Sequence, residues 1–180
     1  AEYDKGAALK LTEEQSTLLE NSYRDFVRGG ALLDDAKKAR LREISERLSV
    51  LGPAFSNNVM KSSEQFQMVI DNESDLAGLP ESARAAAQQA AEEAGHNGKW
   101  LFTLDYPSYI PFVQYADNRA LREKMWRAFG SRAWKDEWDN SATLLEIVRL
   151  RHERAGLLGY KNHADYVLER RMAETPAQVF

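Results

Sequence analysis

Phe66-Gln67-Met68-Val69-Ile70 and Lys99-Trp100-Leu101-Phe102-Thr103-Leu104 are two short β-prone runs in a sequence otherwise patterned for helices. Their reading decides the fold. The first is bounded by Ser62-Ser63 and Asp71-Asn72, so it predicts a strand, and the second predicts another. A lone strand would leave its ladder groups unpaired, so the two are expected to pair antiparallel with a helix packed between their ends. That helix is alanine-rich and runs from Ala83 to Ala94. Pro80 stands in its first turn, Glu81 complements the helix dipole, and Gly95 closes it. The expected fold class is mainly α: a helical lobe with a small two-stranded antiparallel β element.

Upstream, Thr12-Glu13-Glu14-Gln15 fits a capping box, and Leu18, Leu19, Tyr23, Phe26 and Val27 recur at helical spacing before Gly29-Gly30. Asp34 and Asp35 suit a second N-cap. The stripe that follows, Leu41, Ile44, Leu48, Leu51 and Phe55, calls for a partner helix. The first two segments read as an antiparallel αα-hairpin, with a kink or restart at Gly52-Pro53 because Pro53 offers no amide hydrogen to Ser49. Downstream, Tyr106 to Pro111 reads as a turn into a short segment ending near Ala116. Helices are predicted from Arg119 to about Trp134, from Ser141 to Leu158 before Gly159, and from Asn162 to about Met172. The expected organisation is 1–65 as an N-terminal helical hairpin, 66–105 as the two-strand element with its alanine-rich helix, and 106–180 as a helical segment, in one lobe overall. Thr175-Pro176 has the form of a cap and first helical residue, which predicts a helix continuing past Phe180 in a longer protein. Ala1 in place of an initiator Met points to an upstream segment removed.

The 180 residues carry 28 acidic and 24 basic side chains, a net charge of −4, and the sequence pI is about 5.5. Phosphate neutralisation drives nucleic-acid affinity, so an acidic balance argues against nucleic acid as a partner. Mean hydropathy is −0.57, and no apolar run approaches the roughly 20 residues a bilayer-crossing helix needs, so no membrane partner is expected. With no cysteine, disulfides, thiolate metal sites and cysteine nucleophiles are excluded. Ala1-Glu2-Tyr3-Asp4-Lys5 is too polar for the start of a secretory signal. Cytoplasm is the expected location, with the periplasm open.

The chemistry-bearing motifs are incomplete. His152-Glu153-Arg154-Ala155-Gly156 begins like the zinc-binding H-E-x-x-H helix, but Gly156 stands where the second histidine belongs, and His163 lies beyond the Gly159 stop. Asp71, Glu73 and Asp75 open like a calcium loop, but Leu76 and Ser82 occupy the places of its glycine and bidentate acid. Both read as solvated structure. Trp126, Phe129, Trp134 and Trp138 form either a ligand-stacking platform or packing in the core or between domains, packing being favoured. Asp136, Glu137 and Asp139 read as a loop of exposed carboxylates rather than an acid-base pair. Arg149, Arg151 and Arg154, interleaved with Glu146 and Glu153, suggest pairs along one solvated helix. The residues assign no catalytic, cofactor-binding or metal-binding side chain.

Lys99 to Phe112, followed by Tyr115-Ala116-Asp117-Asn118-Arg119-Ala120-Leu121-Arg122-Glu123, closely resembles the N-terminal half of the thimet oligopeptidase family of zinc metallopeptidases. Phe55-Ser56-Asn57-Asn58-Val59 and Leu150 to Ala164 agree with it. Leu11 to Gln15 and Asp25-Phe26-Val27-Arg28 are most similar to the bacterial peptidyl-dipeptidase branch, the dipeptidyl carboxypeptidases. The resemblance implies part of a larger two-lobed enzyme whose lobes face across a channel that admits short peptides. It implies zinc in the full-length parent, bound by residues downstream of this region, and none held by this chain. The expected function is a noncatalytic channel wall of a peptidase that releases C-terminal dipeptides, with short peptides and the C-terminal catalytic lobe as partners. Asn118 is carried over as a helix cap and Gly159 as a helix stop. The other reading is a stand-alone helical module that binds peptides or proteins without hydrolysis.

Overall fold

The computed structural model describes residues 10–180, so the polar opening read as carrying no signal lies outside the described residues. The elements run α1 (Glu13–Arg28), α2 (Asp35–Gln65), β1 (Met68–Ile70), a 3-10 turn at Glu73–Leu76, α3 (Glu81–Glu93), β2 (Trp100–Phe102), α4 (Tyr106–Tyr115), α5 (Arg119–Gly130), α6 (Ser141–Leu157), α7 (His163–Leu168) and α8 (Pro176–Val179). They fall into two compact units, residues 10–51 with 145–180, and residues 52–144.

The unit 52–144 is organised by its small sheet. β1 and β2 pair antiparallel as expected, with Met68 opposite Phe102 and Ile70 opposite Trp100. α3 packs along β2 and α4. Met68, Ile70, Leu79, Phe102, Phe112 and Met125 form the heart of one buried apolar cluster, where the Phe102 and Phe112 rings meet edge to face at 4.6 Å. Asn118 caps α5 by accepting from the amides of Ala120 and Leu121, and its side-chain amide donates to Asp75 Oδ1 at 2.8 Å. Gly78 takes φ +84 beside it, where a Cβ would stand 2.2 Å from the Tyr115 carbonyl, so only glycine fits. A polar seam completes the unit. The Ser62 hydroxyl donates to Asp136 Oδ2 at 2.6 Å and accepts from the Ala133 amide at 2.9 Å. Asn58 donates to Asn140, whose side-chain amide donates to the Phe55 carbonyl.

In the other unit, the capping box at Thr12 forms as the sequence predicts, with the Thr12 hydroxyl and Gln15 side chain each accepting the other's backbone amide. Asp34 accepts from the Lys37 amide at 2.8 Å at the start of α2. Leu41, Ile44 and Leu51 are buried as the stripe requires. Arg40 pairs with Glu153 and Arg47 with Glu146. Seven residues forward on α2 answer seven residues back on α6, so these helices run antiparallel, and α6 is a partner of the stripe. α1, expected to bury an apolar face, has no buried residue, and Leu18 and Phe26 are exposed.

Four boundaries differ from expectation. α2 is continuous through Pro53, because proline deletes one donor only and the exposed site lets water satisfy the Ser49 carbonyl. The segment read as a turn at Tyr106 is helix α4. Pro107 sits in its first turn, and the burial of Tyr109 and Phe112 offsets the bond lost at Pro111. α5 stops at Gly130 because Ala133 and Lys135 take positive φ, 53° and 60°, which no helix continues through. α7 ends at Leu168, where Arg171 tightens to an i−3 bond with the Leu168 carbonyl.

Candidate functional site

In the unit formed by residues 10–51 and 145–180, α1, α2, α6 and α7 enclose a cleft of about 760 Å³. Helical spacing builds its walls: Asp25 and Phe26 face it from α1, and Lys38, Leu41 and Arg42 from α2. Gly30 shapes the end of the cleft. It is buried at φ +90, and a Cβ there would meet Leu41 Cδ2 at 2.5 Å.

A hydrogen-bonded node closes one side. Arg28 donates to Tyr160 Oη at 3.1 Å, to the Tyr166 carbonyl at 2.8 Å and to Glu169, while its guanidinium lies 4.3 Å from the Tyr166 ring centroid. Tyr160 Oη donates to Glu169 at 2.5 Å. The Tyr160 bond and the Arg28 charge hold the Glu169 carboxyl below its ordinary range. Burial, then the neighbouring carboxylate, pushes the Tyr160 phenol up. Burial works against the charge on Arg28, but Tyr160 and Glu169 more than offset it and raise its pKa. Arg170 pairs with Asp25.

The other cations are less compensated. Lys38 and Arg42 are exposed and make no side-chain ion pair or hydrogen bond among the described residues. Arg154 lies 5.2 Å from the Tyr166 ring with its Nε buried and unbonded. His163 Nδ1 is likewise buried without a partner. Burial, then the charges of Arg151 and Arg154, lowers the His163 pKa. The arrangement suits an anion beside an apolar group, and it contains no nucleophile-base pair.

The motifs singled out in the sequence land elsewhere or in other roles. Glu153 is bonded bidentately to Arg40, whose hydrogen bonds lower its pKa, and His152 is exposed. Glu153 is thus committed to Arg40, which leaves His152 without its neighbouring acid. With Gly156 in the second histidine's place, the H-E segment does not fit zinc. Among the described residues no group of three or more His, Asp or Glu is placed to hold a metal ion. Asp71 pairs with Lys99 and Asp75 with Asn118, so the acidic triplet is divided. Asp136, Glu137 and Asp139 are exposed, as the sequence predicts; Asp136 also accepts from Ser62 and the Ala133 amide, and Asp139 caps Ser141, whose hydrogen bonds lower its pKa. Glu146 and Glu153 pair across helices to α2, correcting the expectation of pairs along one helix. Trp126 and Trp134 are exposed, so neither packs in the core of this chain. Phe129 is packed, stacked on Tyr109 at 4.1 Å, and Lys61 sits 4.2 Å over Trp138. The Arg28–Tyr160–Glu169 node escaped sequence reasoning because its members lie 132 and 141 residues from Arg28. Only the Arg28 in the quoted Asp25–Arg28 segment hinted at it.

Residues 112–180 match the model of Peptidase family M3. The chain is 47% identical to oligopeptidase A of Haemophilus influenzae over 98% of its own length and 28% of that protein's. It is 45% identical to oligopeptidase A of Escherichia coli, covering 94% of the chain and 25% of the relative. Dipeptidyl carboxypeptidase of Escherichia coli is 32% identical over 98% of the chain and 26% of the relative. The chain thus spans about a quarter of the length of the curated relatives it matches. These similarities support a place for it in Peptidase family M3, whose members are in general zinc-dependent. They favour the oligopeptidase A relatives over the peptidyl-dipeptidase branch expected from Leu11–Gln15 and Asp25–Arg28.

Proposed function

We propose that this chain is a noncatalytic part of a zinc-dependent oligopeptidase of Peptidase family M3, forming one wall of the channel in which short peptides are hydrolysed. The observation that carries the reading is 47% identity to an oligopeptidase A over 98% of the chain, in a sequence whose one H-E pair is committed to Arg40. Zinc would be held by the catalytic lobe, and this chain's residues would shape access and binding. Cleavage within short peptides is preferred over release of C-terminal dipeptides, because identity to oligopeptidase A exceeds that to dipeptidyl carboxypeptidase by 15 percentage points, 47% against 32%.

The test compares the 180-residue chain with a protein extended through the downstream coding sequence, measuring zinc content and hydrolysis of short peptides blocked at both ends. Zinc and internal cleavage are expected in the extended protein alone. Stoichiometric zinc or hydrolysis in the short chain would overturn the noncatalytic assignment, and dipeptide release from free C-termini alone would overturn the choice of branch.

A further inference from the structure

The cleft between α1, α2, α6 and α7 is lined by more positive charge than its own acids compensate. Arg28, Lys38, Arg42 and Arg154 line it against one carboxylate, Asp25, which is already paired with Arg170. Arg28 is spent on Glu169 and Tyr160. The other three have no anionic partner among the described residues. Lys38 and Arg42 are one turn apart on α2 and flank Leu41, whose side chain is buried at the cleft floor. Phe26, 70% exposed, supplies an apolar surface on the facing wall. The volume, about 760 Å³, is within the range of pockets that enclose small ligands.

We propose that this cleft binds short peptides through a carboxylate, seated between Lys38, Arg42 and Arg154, with a neighbouring apolar side chain lying against Phe26 and Leu41. Three independent features point to one ligand chemistry. Two exposed cations without partners can reach the ligand without breaking an existing bond. Arg154 lines the cleft and has no anionic partner among the described residues, and a carboxylate would supply one to its guanidinium. The apolar lining beside these cations suits an acidic residue next to an aromatic or aliphatic one better than a bare anion. The choice of a peptide rests on the oligopeptidase reading; the cations and apolar wall themselves specify a carboxylate with an apolar neighbour.

The test uses the longest encoded protein containing this chain and calorimetric titration with an N-methylated, uncleavable hexapeptide containing Phe-Glu and an amidated C-terminus. Its Phe-Gln counterpart and inorganic phosphate serve as the other probes. The Glu peptide is expected to bind about tenfold more tightly than the Gln peptide at low salt, with the preference shrinking as salt screens it. Lys38→Ala with Arg42→Ala abolishes that preference, while Arg42→Lys alone keeps most of it; both positions are exposed, so α2 tolerates the changes. Phe26→Ala weakens both peptides equally. Equal binding of the two peptides, an unchanged preference in the double variant, or phosphate binding as tightly as the Glu peptide would each overturn the proposal. Hydrolysis is read separately. Loss of the oligopeptidase reading with the charge preference intact would leave the cleft a carboxylate site.

Discussion

The two units of this chain use different physics. Residues 52–144 are held by a single apolar cluster running from Met68 to Met125, with a polar seam in which Ser62 bonds Asp136 and Asn140 bonds Asn58 and the Phe55 carbonyl. In the unit of residues 10–51 and 145–180, α1 has no buried residue, and beside a smaller apolar core of Leu41, Ile44, Leu51, Ile147 and Leu150 the helices are joined through charges: Arg28 to Glu169, Arg170 to Asp25, Arg40 to Glu153 and Arg47 to Glu146. Apolar burial is insensitive to salt and pH near neutrality, whereas ion pairs respond to both. The first unit should behave as a rigid platform and the second as an adjustable one. The cationic cleft lies in the adjustable unit.

The sharpest way to break this contrast is to empty the apolar cluster. Phe112 is fully buried, so Phe112→Ala should cost about 3–5 kcal/mol from lost transfer energy and the cavity left behind. All four tryptophans lie in residues 52–144, so tryptophan fluorescence during urea unfolding reports that unit. A midpoint shift no larger than that of a charge substitution in the other unit would remove the contrast.

Arg28→Met comes next in size. The guanidinium is mostly covered and makes bonds to Tyr160, Glu169 and the Tyr166 carbonyl, so its loss should cost about 1–2 kcal/mol, with the methionine stem retaining part of the packing. Far-UV circular dichroism against urea measures it. A neutral result would mean that the node is solvated and that α7 is held by other contacts.

How legible this was depends on range in the sequence. The Thr12 capping box, the Gly159 stop and both strands could be read because each is specified within a few residues, while the Asn118 cap came from the family resemblance. The helix across Tyr106–Tyr115 could not, since local rules weigh Pro107 and Pro111 without knowing that Tyr109 and Phe112 will be buried. The same holds for the carboxylates of α6. Periodicity pairs Glu146 with Arg149, and only the antiparallel approach of α2 presents Arg47 to Glu146 and Arg40 to Glu153 as bonded partners. The cleft was invisible for that reason: Lys38, Arg42 and Arg154 look like ordinary surface cations until α2 and α6 bring them to one cleft.

His163 sharpens the contrast through pH. Its folded pKa is lowered by burial and by Arg151 and Arg154, and it faces Tyr166 as well. The folded state therefore favours the neutral imidazole. The associated stability is fully present above the ordinary histidine value of 6.5 and is lost as pH falls from there toward the depressed folded pKa. The urea midpoint read by circular dichroism should decline through that window, and His163→Gln should flatten the decline. A decline of the same slope in the variant would place the pH response elsewhere.

The smallest effect belongs to the α2–α6 ion pairs, and its value lies in its signature. Arg40 and Arg47 are exposed and Glu146 and Glu153 half-buried, and the hydrogen bonds of two bidentate pairs at 2.6 to 2.9 Å raise the arginine pKa values and lower those of Glu146 and Glu153. A lowered carboxyl pKa stabilises the fold above the ordinary value and loses that contribution as pH falls through the folded one. Arg40→Gln with Arg47→Gln should therefore lower the midpoint slightly at pH 7 in dilute buffer, lower it less in molar salt, and leave it unchanged at acid pH where both glutamates are protonated. Salt and pH must remove the difference together, since both act on the same charges. A difference that survives high salt would show that the arginine stems pack between α2 and α6 rather than act through charge, and the contrast between the two units would then be one of degree in apolar burial.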